Sequence, residues 1–300
     1  MRKILDFSDR ERCEEKIQMK WEEFRQNLAN GFFKYNDMEG ALRSDFLKVF
    51  NDVFQHGYYF FEKKVTDIFN ADNHIVRAAR IGNGMPVPSY ERFIPKAEFI
   101  TNENRFSPPR VEWLYLAFAP RNNTQQMNTE EICAMKECRA VEGEQFAICD
   151  FKINTEYGEN VIVDLTIAKE KEFDDLNSQF EKHTQDIYTR EVNKIYHSCI
   201  TKGTAPKPNT EDIVPYIREW FVYTYAKLIS EQLFLPIDTK NKKLMYAPFQ
   251  CIAQYFLSKG YHGIIYSSTV YPEGKNIVLF NKNIAKPCGN VRSITIPACF

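Results

Sequence analysis

The sequence lacks the features that mark metalloenzymes and membrane proteins. Its eight cysteines form no C-x-x-C pair, and its five histidines show no spacing suited to a zinc site. No apolar run approaches the roughly 20 residues that are needed to cross a bilayer. Charged residues at positions 2, 3 and 6 come too early for a signal peptide. We therefore expect a cytoplasmic protein that binds no metal ion and no membrane.

The sequence also lacks a charge excess and any internal repeat. Asp and Glu number 40 and Lys and Arg 39, so no overall electrostatic field favours nucleic acid as a partner. Aromatic residues, in contrast, are plentiful: 24 Phe and 16 Tyr favour a packed globule over a disordered chain. A length of 300 residues allows one large domain or two smaller ones.

Helix signals dominate the N-terminal part of the chain. Ser8 opens a capping box, and apolar residues then recur at helical spacing until Gly31. A second helix is predicted to begin near Ser44. We interpret residues 1–70 as a helical extension packed on the core, and residues 71–300 as the main domain.

The main domain combines strand and helix signals, which indicates a mixed core of the α+β class. The predicted strands cover residues 74–81, 112–118, 146–153, 161–167, 262–268 and 276–280, with a final strand through 294–296. Helices are predicted from about residues 128, 169, 212 and 246. The strands 146–153 and 161–167 flank a turn at Tyr157 and Gly158 and are predicted to pair. We interpret residues 155–245 as an insertion into the domain.

Glu137 is the candidate functional acid. It follows Cys133 by four positions on a predicted helix, so it stands beside an apolar stripe. An ordinary helix surface explains a lone glutamate, whereas a carboxylate beside Cys133, Ala134 and Cys138 is expected to be partly buried. We therefore interpret Glu137 as a functional residue.

Short motifs with compatible local structure occur in order along the chain. They are Arg77 on a strand, Arg105-Phe106 in a polar turn, Tyr115-Leu116-Ala117 on a strand, Ala134-x-x-Glu137-x-Arg139 on a helix, and the C-terminal series Tyr246-x-x-x-Gln250, Gly263-Ile264-x-Tyr266-x-Ser268 and Gly274-x-Asn276. This series resembles the RES domain family, which is named for an Arg, a Glu and a Ser. The resemblance covers roughly residues 75–151 and 246–280.

The resemblance implies an ADP-ribosyltransferase-like β core and an enzyme that attacks NAD at the bond between nicotinamide and ribose. Members of the family are known mostly as toxins of toxin–antitoxin pairs. The resemblance therefore also implies a role in a toxin–antitoxin or phage-defence system, and an antitoxin that covers the active site. The implied residues are Arg105, Glu137 and Ser268 for catalysis, and Arg77, Arg80, Tyr115 and Ser267 for NAD binding.

The chemistry of these side chains suits that reaction. Arg77 and Arg105 offer planar, permanently charged donors for the pyrophosphate of NAD, with Arg80 as a third candidate. A carboxylate such as Glu137 stabilises the positive charge that develops on ribose when nicotinamide leaves. Tyr115 is suited to pack on the nicotinamide ring, and Ser268 is suited to hydrogen-bond nicotinamide or ribose.

Three functional hypotheses remain open on the sequence alone. The first is an NAD-consuming toxin that uses water or phosphate as the acceptor. The second is an ADP-ribosyltransferase that modifies a protein with the same pocket. The third is a non-catalytic nucleotide-binding or interaction module. In each of them Gln250 and Asn276 are interpreted as structural residues that hold the helix and the loop around the serine.

Overall fold

The computed structural model describes residues 10–82, 84–121, 127–209, 211–233 and 242–298. Over these ranges the chain forms eight α-helices and one mixed sheet of eight strands, which confirms the predicted α+β class. The predicted capping box at Ser8 lies outside the described residues. None of the described helices combines the length and the apolar character that crossing a bilayer requires.

The elements follow the predicted order closely. The helices are α1 (Arg10–Ala29), α2 (Met38–Ala41), α3 (Asp45–Phe61), α4 (Val65–Ile68), α5 (Thr129–Glu137), α6 (Phe173–Lys202), α7 (Val214–Leu233) and α8 (Lys242–Ser258). The strands are β1 (Glu62–Lys64), β2 (Asn73–Ile81), β3 (Leu114–Pro120), β4 (Gln145–Ile153), β5 (Val161–Asp164), β6 (Gly263–Ser267), β7 (Lys275–Leu279) and β8 (Ala285–Thr295).

The strand order across the sheet is β1-β5-β6-β7-β3-β2-β4-β8. Strands β5 and β6 run parallel, and the other neighbouring pairs are antiparallel. The predicted pairing of 146–153 with 161–167 is therefore wrong, although both strands form. The two edges of β4 are occupied by β2 and β8, whereas β5 lies between β1 and β6. Ile162 and Val163 of β5 are fully buried, as expected of an interior strand rather than the arm of a local hairpin.

The N-terminal helices pack on α8 through aromatic side chains. Ser44 caps α3 as predicted, because its hydroxyl accepts a hydrogen bond from the Leu47 amide. The ring of Trp21 on α1 meets Phe249 on α8 edge to face, with 5.4 Å between ring centroids. Phe50 on α3 contacts Phe256 on α8 in the same way at 5.8 Å. Edge-to-face pairs of this kind add about 1 kcal/mol each to the burial of their area. They hold α1 and α3 against α8.

The segment predicted as an insertion contributes to the main core. Its strand β5 is part of the central sheet, and Val222, Tyr225 and Leu228 of α7 are buried in the same apolar cluster as α3 and α8. Helix α6 packs along α7, where the Trp220 indole donates a hydrogen bond to Asn177 at 2.8 Å. The division of the chain into an extension, a domain and an insertion remains a prediction.

A charged cluster ties the first turn of α5 to the sheet. His74 on β2 lies between Glu130 of α5 and Asp150 of β4, with 3.1 Å between its Nε2 and the Asp150 carboxylate. Arg292 of β8 bridges Asp150 and Glu131. Glu130 and Glu131 are almost completely buried, so the partners that neutralise them hold α5 in place.

Protonation of His74 should therefore contribute to stability. The hydrogen bonds to Asp150 and then Glu130 raise the pKa of His74 from 6.5 to about 9. A raised histidine pKa stabilises the folded state fully below pH 6.5, and this contribution disappears as the pH rises through about 9. The contribution is on the order of 3 kcal/mol at most. Denaturant unfolding between pH 7 and pH 10 should show this decline, and His74→Gln should flatten it. An equal decline in both proteins would contradict the assignment.

Candidate active site

A cavity of about 450 Å³ opens between the sheet, the end of α5 and the start of α8. Four of the residues singled out from the sequence line it: Arg77, Arg105, Tyr115 and Glu137. They come from β2, the loop before β3, β3 itself and α5. These four predicted residues of the first half of the chain thus converge on one space, together with Tyr246, Tyr266 and Asn276 from the C-terminal part.

Glu137 is the last residue of α5, a helix that begins at the predicted position with a capping box of Asn128 and Glu131. Its Oε1 accepts hydrogen bonds from the Ser268 hydroxyl at 2.8 Å and from Asn276 Nδ2 at 2.7 Å. Both donors are almost fully buried, so one carboxylate oxygen is fixed to the rigid end of the sheet. The other oxygen has no hydrogen-bond partner among the described residues and is available to a ligand.

The side chain of Glu137 is exposed, which corrects the expectation that it would be partly buried. The reason is the position of the helix end. Cys138 terminates α5, and Arg139 adopts a left-handed conformation with φ of 56°, so the chain turns away after Glu137. The carboxylate therefore lies at the open cavity rather than under the next helical turn. Exposure of this kind suits a group that must reach a substrate.

Ser268 contacts Glu137 but does not line the cavity. Its hydroxyl also accepts the amide hydrogens of Val270 at 3.3 Å and Tyr271 at 3.1 Å. The serine therefore shapes the loop after β6 and orients the carboxylate at the same time. Ser267 pairs with Lys275 across the sheet and does not line the cavity. Successive side chains of a strand point to opposite faces of the sheet. Tyr266 lines the cavity, so the next residue, Ser267, lies on the other face of β6.

The two serines should therefore behave differently on substitution. Ser268→Ala removes a hydrogen bond to the Glu137 carboxylate. For the cleavage of NAD that the family resemblance implies, it should lower kcat about tenfold with little change in KM for NAD. Ser267→Ala should leave both constants within about twofold, because its side chain is outside the cavity. Steady-state kinetics of the two variants checks this. A larger effect of Ser267→Ala than of Ser268→Ala would contradict the geometry.

Arg105 is a cation of the cavity that a hydrogen bond and two aromatic rings hold in place. Its Nη2 donates to the Thr269 hydroxyl at 2.9 Å, and its guanidinium lies over the rings of Phe249 at 5.0 Å and Tyr246 at 6.0 Å. Its Nη1 is buried and has no hydrogen-bond partner among the described residues. A buried guanidinium nitrogen without a partner is costly, and an anionic ligand would supply the missing acceptor.

Arg77 and Tyr115 form a second part of the lining. Arg77 donates to the Phe93 carbonyl at 2.6 Å, and burial lowers its pKa to about 10, so it stays charged at neutral pH. Burial likewise raises the pKa of Tyr115, whose hydroxyl lies 2.9 Å from the Ser107 hydroxyl. This part of the cavity therefore offers one fixed positive charge beside a neutral aromatic ring.

Arg80, also predicted to bind the substrate, lies outside the lining. Its Nη2 donates to the carbonyls of Cys138 at 3.1 Å and Arg139 at 3.0 Å, and it forms an ion pair with Glu144 at 3.2 Å. It thus satisfies carbonyl groups at the C-terminal end of α5, where a cation is also favoured by the helix dipole. Through this contact it supports the turn that presents Glu137.

Two polar residues interpreted as structural from the sequence have different places in the site. Gln250 donates to Glu103 at 2.8 Å and to the Asn104 carbonyl at 3.2 Å, so it holds the loop that leads to Arg105. Asn276 contacts Glu137 directly and lines the cavity. The Gly-x-Asn motif marked this position, but its contact with Glu137 depends on the pairing of β7 with β3 and β6.

The described residues contain no group of three or more His, Cys, Asp or Glu arranged to hold a metal ion. The cavity lining instead contains several aromatic rings together with charged and amide side chains: the guanidinium groups of Arg77, Arg105 and Arg139, the ammonium group of Lys242, the carboxylates of Glu103 and Glu137, and the amides of Asn102, Asn104 and Asn276. This set is suited to an anionic ligand that carries a flat ring and sugar hydroxyls.

The comparison with protein families identifies a RES domain over residues 215–296. The matched segment includes Ser268 and Asn276. It contains the C-terminal motifs of the series that resembles this family, from Tyr246 to Asn276. Arg105 and Glu137 lie before it in the chain and join it through the cavity. The RES family is associated with enzymatic toxins that act on NAD, so the match supports a toxin-type, NAD-related function in general. Neither the comparison with curated proteins nor that with solved structures found a match.

Proposed function

We propose that this protein is a RES-type toxin that consumes NAD by cleaving the bond between nicotinamide and ribose. The observation that carries the proposal is the hydrogen-bonded group of Glu137, Ser268 and Asn276 at a cavity that also contains Arg77 and Arg105. The RES domain match over residues 215–296 supports the same class of substrate. An ADP-ribosyltransferase-like core is part of the proposal.

Glu137 is the group that acts on the reacting centre. When the C1′–N bond breaks, its electron pair moves to the pyridinium nitrogen and neutral nicotinamide leaves. Positive charge then develops on the ribose, and the carboxylate of Glu137 stabilises it. Ser268 and Asn276 hold the carboxylate in place, so no reorganisation of Glu137 is needed during the reaction.

The arginines bind and orient the rest of the dinucleotide. The unpartnered Nη1 of Arg105 is suited to a pyrophosphate oxygen, because a guanidinium donates strong, directional hydrogen bonds to phosphate. Arg77 supplies a second positive charge, and Tyr115 beside it offers a ring face to nicotinamide. Tyr115 thus holds the nicotinamide on one side of the scissile bond, and the arginines hold the phosphates on the other side. Holding the substrate in this orientation lowers the entropic part of the activation barrier.

The acceptor of ADP-ribose decides between the forms of this function. Water attacking C1′ gives ADP-ribose and releases a proton, inorganic phosphate gives ADP-ribose 1″-phosphate, and a protein nucleophile gives an ADP-ribosylated protein. Purified protein is incubated with NAD alone, with NAD and phosphate, and with NAD and a cell lysate. Nicotinamide should appear in step with the loss of NAD in at least one mixture. Intact NAD in all three would refute the proposal and leave a non-catalytic binding module.

In a cell the proposed reaction acts as a toxin by depleting NAD. Expression should therefore lower the cellular NAD concentration before growth stops, whereas the Glu137→Gln variant should do neither. We further propose that a partner protein restrains the activity by covering the cavity. Restored growth and restored NAD on co-expression of an adjacent gene would identify such an antitoxin.

A further inference from the structure

Phe99 is an aromatic residue at the mouth of the cavity whose ring is largely open to solvent. It lines the cavity, yet 69% of its surface is exposed. Two other aromatic residues of the lining, Trp113 and Tyr266, are 7% and 6% exposed. Burial thus accounts for the positions of Trp113 and Tyr266 but leaves the position of Phe99 unexplained.

The backbone that carries Phe99 is held firmly. The Ala97 amide donates to the Glu112 carboxylate at 2.8 Å, and Lys282 joins that carboxylate at 2.5 Å. Lys282 also reaches the Pro95 carbonyl at 3.4 Å. The Phe99 amide itself bonds to the Lys96 carbonyl at 3.0 Å. A turn held by these hydrogen bonds presents an apolar ring to the solvent beside a polar cavity. This is the arrangement of a stacking platform.

We propose that Phe99 stacks on the adenine base of NAD and strengthens binding of the adenosine half of the dinucleotide. This rests on the proposed function, in which Glu137 acts on the nicotinamide ribose and Arg105 binds the pyrophosphate. The adenosine half then extends from the phosphates to the outer part of the cavity, where Phe99 is the exposed aromatic ring. Every base has a π-face, so stacking there binds the base without contacts to its edges.

The experiment compares Phe99→Ala and Phe99→Trp with Phe32→Ala. Phe32 is a matched control because it is 73% exposed and lies outside the cavity lining. Calorimetric titration with AMP measures the adenosine half, and titration with nicotinamide mononucleotide measures the other half. Phe99→Ala should weaken AMP binding about tenfold and raise KM for NAD by a similar factor, whereas Phe99→Trp should retain both. In both Phe99 variants, the affinity for nicotinamide mononucleotide and the kcat of NAD cleavage should stay within about twofold of the values of the unsubstituted protein.

The outcomes separate this inference from the proposed reaction. Unchanged AMP affinity in Phe99→Ala, or equal weakening of AMP and nicotinamide mononucleotide, overturns the adenine platform even if NAD is cleaved. Absence of AMP binding by the unsubstituted protein overturns it as well. A protein that binds AMP through Phe99 but releases no nicotinamide supports the platform and contradicts the proposed reaction instead.

Discussion

Glu137→Gln should lower kcat for nicotinamide release by about 10²- to 10³-fold, the effect of removing one preorganised electrostatic group. The substitution keeps the shape of the side chain. Its carbonyl oxygen can still accept the hydrogen bonds of Ser268 and Asn276, which now hold Oε1 of the glutamate. What changes is the atom that faces the cavity, because an ionised oxygen is replaced by an amide donor. The loss should therefore fall on kcat, with NAD binding retained.

Glu142→Gln provides the matched control for this prediction. Glu142 is an exposed carboxylate five positions further along the chain, outside the lining of the cavity. Its substitution should leave nicotinamide release within about twofold, because an isolated surface charge contributes little. If Glu137→Gln still released nicotinamide at the rate of the unsubstituted protein, Glu137 would have no part in the reaction. The central assignment of the site would then be wrong.

Arg105→Gln should raise KM for NAD about 10- to 10²-fold, the expected cost of losing one charge-assisted hydrogen bond to the pyrophosphate. The guanidinium is already held in position by Thr269, Phe249 and Tyr246. Its free Nη1 therefore binds an oxygen of the pyrophosphate without first losing conformational freedom. Isothermal titration with ADP-ribose, which lacks nicotinamide, should show the same loss of affinity as the change in KM.

Arg110→Gln serves as the comparison, since Arg110 is exposed and lies outside the cavity lining. Thermal unfolding of both variants is needed, because the Arg105 side chain packs on two aromatic rings of α8 and its loss also removes those contacts. A folded Arg105→Gln variant with unchanged affinity for ADP-ribose would contradict the assignment of the pyrophosphate site.

The elements and the members of the site were largely accessible from the sequence because the signals for them are local. Ser44 and Asn128 cap helices at the predicted positions, and the predicted strands occur as β2 to β8. The order of Arg105, Glu137 and Ser268 in short motifs was also visible. Their convergence follows from the sheet, in which β7 joins β6 to β3 and so brings the two halves of the chain together.

What sequence reasoning missed depends on contacts between distant segments. The partners of β4 and β5 are fixed by strands far away in the chain, so a turn signal at Tyr157 and Gly158 indicates a local hairpin that does not form. The exposure of Glu137 depends on the residue at which α5 ends. Arg80 of β2 is held outside the cavity lining by hydrogen bonds to the carbonyl groups at that same helix end. None of these relations leaves a periodic pattern in the sequence.

A crystal structure of Glu137→Gln with intact NAD tests the account most directly. We expect the pyrophosphate on Arg105, the nicotinamide ring beside Tyr115, and C1′ of the adjoining ribose within about 3.5 Å of the side chain at position 137. NAD bound elsewhere on the molecule, or bound with that ribose turned away from position 137, would contradict it.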